Sequence, residues 1–298
     1  MNARRLILAP LAMLCALVAL TAVSATPALA VRGHVFSSSF GSSGSGNGQF
    51  SEPDGVAVNE SSGDVYVVDR GNDRVERFSS AGVYVGEFNG SGSDAIVEVK
   101  PAPTGRFSSP SSIAVDNDPG SPSFGDVYVA DVGHKVIDKF SSSGEYIGQL
   151  TETSSGSKLE EIEGIAVDTG GLLWVYQGNK AIDEFSGAIA NEFLSSREAQ
   201  QFGGANPGFA VDSSDNLYVK TYFAGISKLN EAGGVLVEEF DSLLRAPGSS
   251  EVPSAVAVDL SSNEVYIDDA DNHGRWHLAR TSRAARDHRV HIPCERCG

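Results

Sequence analysis

Hydrophobic and polar residues alternate with a period of two in short runs along most of this chain, and the runs recur in a fixed order. GVAVN at 55, SIAVD at 112, GIAVD at 164, GFAVD at 208 and AVAVD at 255 open five units, spaced 57, 52, 44 and 47 residues apart. A second alternating run follows each: DVYVVD at 64, DVYVAD at 126, LLWVYQ at 172, NLYVKT at 216 and EVYIDD at 264. A third ends in an aromatic residue or leucine, at Phe78, Phe140, Phe185 and Leu229. A fourth follows a glycine-bearing turn, as GVYVGEF to Phe88, GEYIGQL to Leu150, GAIANEF to Phe193 and GVLVEEF to Phe240. Short alternating runs rich in β-branched and aromatic residues, bounded by Gly, Asp, Asn and Ser, predict strands, so each unit predicts one four-stranded antiparallel sheet.

Such a sheet cannot bury both apolar faces by itself, so the units must stack, and radial stacking makes a β-propeller. The first run supports this over a β-sandwich or a solenoid. Its third position is Ala57, Ala114, Ala166, Ala210 and Ala257, and its fourth is Val58, Val115, Val167, Val211 and Val258. An inner strand crowded where the blades converge has room for alanine on one face and needs a β-branched filler on the other. The irregular spacing places insertions in loops. The fold expected is all-β, a propeller of four-stranded antiparallel blades, four of them full and the last incomplete.

The stretch PDGVAVNESSGDVYVVDRGNDRVERF, 53 to 78, resembles the repeat of the NHL-repeat propellers, and the resemblance extends over roughly 34 to 273. It implies the fold and leaves activity open, because the family includes scaffold and protein-binding domains as well as some enzymes. HVFSSSFG, 34 to 41, looks like the outer strand that in this family completes the last blade. Blades three and four depart from the pattern, with Gln177 and Thr221 where the others carry Asp69, Asp131 and Asp269.

The ends of the chain read differently from its body. Arg4 and Arg5, the apolar run from Leu6 to about Val23 and the close Ala28-Leu29-Ala30 predict a signal peptide over 1 to 30, cleaved before Val31. The expected location is secreted or in the cell envelope, with no membrane insertion after cleavage. Residues 31 to 273 hold 14 of the 22 Lys and Arg and 37 of the 39 Asp and Glu, a balance of −23, which argues against nucleic acid as a partner. They contain no cysteine, so this body does not depend on a disulfide. After His273 the charge turns positive and the alternation is lost, so 274 to 298 is expected to be a basic, disordered tail rather than a third strand of the fifth unit.

Candidate chemistry is sparse. His288, His291, Cys294 and Cys297 are zinc-type ligands without the loop that normally separates two ligand pairs. Asp116, Asp118 and Asp126 are calcium-type ligands with Gly120 at the third position and no closing Glu. No cofactor is expected from either group. Asp69, Asp131 and Asp269 are expected to hold the turns beside them through backbone or Arg hydrogen bonds. His134 and His273 are too few and too unalike to make the channel-mouth site of a metal-dependent propeller lyase or lactonase. Tyr222 and Phe223, in the turn after the second run of unit four, are the best candidates for a contact surface. The function expected is recognition of a protein or cell-surface ligand through loops. The alternatives are a propeller-type lyase or lactonase and a truncated product without function.

Overall fold

The computed structural model describes residues 38–90, 105–153, 157–178, 181–187, 192–198, 208–221, 225–230, 235–237, 253–260, 263–269 and 275–280. The chain divides into two compact units, Met1–Ser39 and Phe40–Gly298, and every described strand belongs to the second. The signal peptide expected over 1 to 30 lies outside the described residues.

Five antiparallel sheets follow one another in chain order, each built by strands adjacent in sequence. A short parallel pair, β1 (Ser42–Ser43) and β2 (Gln49–Phe50), precedes them. Blade one is β3 (Pro53–Val58), β4 (Val65–Asp69), β5 (Arg74–Phe78) and β6 (Tyr84–Phe88). Blade two is β7 (Pro110–Val115), β8 (Val127–Asp131), β9 (Val136–Phe140) and β10 (Tyr146–Leu150). Blade three is β11 (Gly164–Val167), β12 (Leu173–Tyr176), β13 (Ala181–Phe185) and β14 (Phe193–Glu198). Blade four is β15 (Phe209–Val211), β16 (Leu217–Thr221), β17 (Gly225–Leu229) and β18 (Val235–Val237). The fifth sheet has three strands, β19 (Pro253–Asp259), β20 (Glu264–Asp269) and β21 (Arg275–Arg280). This is the propeller expected, four full blades and an incomplete one.

The core lies between blades rather than within them, and the first strands show why alanine recurs. Ala114 packs with Ile165 and Val167 of blade three, and Ala166 with Phe209 and Val211 of blade four. Ala210 packs with Val256 of blade five, and Ala57 with Ile113 and Val115 of blade two. Blades one to four thus turn their alanine toward the next blade, and blades two to five turn the flanking pair of larger apolar residues toward the preceding one. Strand two adds an aromatic to the alanine side: Tyr66, Tyr128, Trp174 and Tyr218 are all fully buried. Ala166→Leu puts extra methylenes into a filled contact between Trp174 and Phe209, and is expected to lower stability by about 1–3 kcal/mol. A thermal melt unchanged by that substitution overturns this packing scheme.

Two latches tie successive blades together. The Tyr66 hydroxyl and the Arg77 guanidinium both donate to the Ser142 carbonyl of blade two, at 2.8 and 2.6 Å. The Tyr128 hydroxyl and the Lys139 ammonium both donate to the Gly187 carbonyl of blade three, at 3.2 and 2.8 Å. Lys139 is fully buried, and Asp126 at 3.1 Å balances its charge. In blade three the matching third-strand position is Glu184, and the cation comes from strand four instead, Arg197 lying 4.3 Å over the Trp174 ring.

Two boundaries differ from the sequence reading. Phe193 opens the fourth strand of blade three rather than closing it, because its ring meets Phe185 edge-on at 5.7 Å. Tyr84 meets Phe78, and Tyr146 meets Phe140, in the same way. The expected tail begins instead with a strand: β21 pairs with β20 from Asp269↔Arg275 to Glu264↔Arg280. An open ladder edge on β20 favours any neighbouring segment that can take up extended backbone, and RWHLAR carries enough apolar residues to do so. Residues 281–298, with His288, His291, Cys294 and Cys297, lie outside the described residues. The glycine-serine stretch from 41 to 48 is fastened to blade one: Arg74 donates to the Gly46 and Gln49 carbonyls at 2.9 and 2.8 Å.

Candidate functional site

The second and third strands of each blade meet in a turn at one end of the sheet, and the residue closing strand two governs that end. The Asp69 carboxylate accepts from the Ser51 N–H at 2.7 Å, Asn72 Nδ2 at 2.7 Å and Arg74 Nε at 2.8 Å. The Asp131 carboxylate accepts from the Ser108 N–H at 3.0 Å and lies 2.8 Å from His134 Nδ1. Both aspartates are fully buried. Each joins its own turn to the segment leading into the first strand of the same blade. Gly71 and Gly133 complete the joint by donating to the Ser51 and Ser108 carbonyls, each at 2.8 Å. An added Cβ at Gly71 would lie 2.7 Å from Ser51 O, and one at Gly133 2.5 Å from Ser108 O, so only glycine lets the strands approach there.

Gln177, a departure in sequence, occupies the same position. Its Oε1 accepts from the Glu160 N–H at 2.8 Å, and its Nε2 donates to Asp183. The amide thus makes the bond that an aspartate makes in blades one and two, and adds a donor. Asp269 is placed by its backbone in the same register, with Pro253↔Asp269 matching Pro53↔Asp69 and Pro110↔Asp131. Asp69 and Asp131 are therefore internal ties, each within its own blade.

Other candidates sort in the same manner. Asp116 accepts from the Asp118 N–H at 3.0 Å and the Ser121 hydroxyl at 2.5 Å, and Asp118 from the Gly120 N–H at 2.9 Å. Those are turn-forming bonds. Asp126, the third member of the calcium-type group, is 3.1 Å from Lys139. Tyr222, Phe223 and His273 lie outside the described residues. Among the described residues no three His, Cys, Asp or Glu side chains gather in a group that could hold a metal ion.

A less saturated arrangement lies at the same end between blades three and four. Burial, with Glu161 as second cause, pushes the Glu163 carboxyl up to about 7, against the attraction of Lys220. Burial likewise lowers Lys220, opposed by Glu163. Among the described residues Glu163 Oε2 is buried with no hydrogen-bond partner, and an added Cβ on Gly178, at φ 56°, would stand 3.0 Å from Oε1. Ser111, the equivalent residue of blade two, also has a buried Oγ without a partner. Blade one has Asp54 there, 3.5 Å from Arg70. The sequence reading missed Glu163 and Lys220 because neither stands in a repeated motif. The available signal was Glu163 itself, a charge directly before an inner strand.

The third strands carry a second missed set. Glu76, Asp138 and Asp183 occupy one position and are buried. They share alternation parity with the terminal Phe78, Phe140 and Phe185, so the sequence did mark them as charges on an apolar face.

Residues 50–78 match the family model described as NHL repeat. No curated protein matches the chain. A solved structure titled "Streptogramin B lyase structure" is similar at 16% identity, with 76% of this chain and 67% of that chain covered and a TM-score of 0.48. The sheets and the repeat match together make this chain an all-β propeller in which residues 50–78, which include β3 to β5 of blade one, are similar to the NHL repeat.

Proposed function

We propose that this protein is an exported binding or scaffold module that recognises a protein or cell-surface ligand with the end of the propeller where strands two and three turn. The observation that carries the reading is Glu163, whose buried Oε2 lacks a donor beside Lys220. A buried polar atom without a partner is costly, and a ligand donating a hydrogen bond there removes the cost. Tyr222 and Phe223 follow Lys220 by two and three residues in sequence, and on this reading they supply aromatic contacts to the ligand. The carboxylates that suggest catalysis, Asp69 and Asp131, are committed to their own turns.

The test starts with the full-length chain exported from cells, whose recovered form is expected by mass to begin at Val31. Immobilised, it is expected to retain a saturable protein or glycan partner. Glu163→Gln and Tyr222→Ala are each expected to weaken retention about tenfold or more, at the scale of a lost anchor contact, with an unchanged circular-dichroism spectrum. Equal retention by the variants overturns the proposed surface. Lyase or lactonase turnover that a chelator abolishes, with no partner retained, overturns the binding reading as a whole.

A further inference from the structure

The two ends of the row of blades present complementary faces. Between blades, a pair of large apolar residues meets an alanine face four times: Ile113 with Val115, Ile165 with Val167, Phe209 with Val211, and Val256 with Val258. Ile113 and Val115 are 6% and 7% exposed in that setting. Their equivalents on blade one, Val56 and Val58, are 64% and 45% exposed. At the other end Ala255 and Ala257 of blade five are exposed, whereas Ala114, Ala166 and Ala210 are buried. Both faces are open in one and the same chain, so its fifth blade does not cover its first.

The outer half of the blade-one face is already furnished. Phe40 lies on Phe78 with ring centroids 4.7 Å apart and planes at 42°. Phe88, the last residue of β6, lies on Phe140 of blade two at 4.6 Å and 41°. Gly82 closes on Phe40 as Gly144 closes on Phe88. Phe50 adds a second ring to Phe78 at 5.6 Å, as Phe107 adds one to Phe140 at 5.7 Å. Phe40 therefore stands where the fourth strand of a preceding blade ends. Among the described residues no inner strands of that blade lie beside Val56 and Val58, and β19–β21 is a sheet of three strands.

From this we infer that the partner of the Val56–Val58 face is the fifth blade of a second copy of this chain. Ala255 and Ala257 of one copy meet Val56 and Val58 of the other, continuing the packing already made four times within each chain. The contact is head-to-tail, so two copies form a closed ring if both contacts are satisfied at once, and a longer array if they are not. The inference goes beyond the proposed binding function and does not use its residues.

The test is the mass of the full chain in solution by light scattering, with cross-linking to identify the contact. The protein is expected at two or more chains per particle, dissociating on dilution. Val56→Arg combined with Val58→Arg is expected to reduce it to single chains with the same circular-dichroism spectrum. In a background where Cys15, Cys294 and Cys297 are serine, Val56→Cys protein mixed with Ala257→Cys protein is expected to give a disulfide-linked pair of chains. With both cysteines in one polypeptide, a link closing within a single chain overturns the inference, because the ring then closes on itself. Single-chain mass at every concentration, without the mixed disulfide, overturns it equally and leaves the face to another occupant.

Discussion

Asp138→Asn is expected to stabilise the protein at pH 8 and to leave its stability at pH 4 nearly unchanged. Asp138 is 1% exposed, its Oδ1 accepts from Gln149 Nε2 at 3.0 Å, and its Oδ2 has no hydrogen-bond partner among the described residues. Burial pushes its carboxyl up to about 7, with Asp131 as second cause, while Gln149 and His134 pull the other way. The folded state therefore prefers the protonated acid. Its contribution is fully present below the unfolded value near 3.8 and is lost as the pH rises to about 7. A difference of about three units corresponds at most to something on the order of 4 kcal/mol. Asparagine keeps the acceptor for Gln149, carries no charge, and turns a donor toward the side where Oδ2 is orphaned. Urea unfolding of both proteins at pH 4 and pH 8 reads the effect. Equal midpoints at pH 8, or a less stable variant there, overturn it.

Arg74→Met is expected to destabilise by about 3–5 kcal/mol, the scale for stranding buried charges by removing one partner. The Arg74 side chain is 7% exposed and lies 2.8 Å from Asp69, 3.2 Å from Glu76 and 2.7 Å from Glu87. Asp69 and Glu76 are fully buried, so the substitution leaves two carboxylates without their cation. The Gly46 and Gln49 carbonyls lose their donor as well. Adding Glu76→Gln removes one stranded charge and is expected to recover part of the loss. The same variants are expected to make the stretch from 41 to 50 easier to cleave by protease. A loss under 1 kcal/mol, or no recovery in the double variant, overturns the account.

The strands were legible because their signal is local. Alternation in DVYVVD or RVERF fixes which residues share a face, and the recurrence of alanine in the first strand fixes which strand is innermost. The structural place of Asp69 was legible for the same reason, since its partners Asn72 and Arg74 lie within five residues. The place of Gln177 was not, because an amide where other blades carry a carboxylate breaks the repeat, and only the bond from the Glu160 N–H shows that it takes the same role. Phe193 was misaligned because glycine turns and terminal aromatics recur with variable spacing. Only the ring contact with Phe185 decides which end of the strand it marks.

By itself the sequence determined an all-β propeller of repeated four-stranded sheets, the faces of each strand and the acidic body, since these depend on period, residue type and composition. Tertiary structure alone decided that alanine faces forward and the larger apolar pair backward, that Arg275–Arg280 joins β20, and that Glu163, half-buried, has one carboxyl oxygen enclosed near Lys220. It also decided that Val56 and Val58 stand open while their equivalents are covered. The physical reason is that each of these depends on which surfaces meet. One blade's pattern specifies a face, whereas burial, a shifted carboxyl or an empty contact exists only once a neighbouring blade is, or is not, beside it.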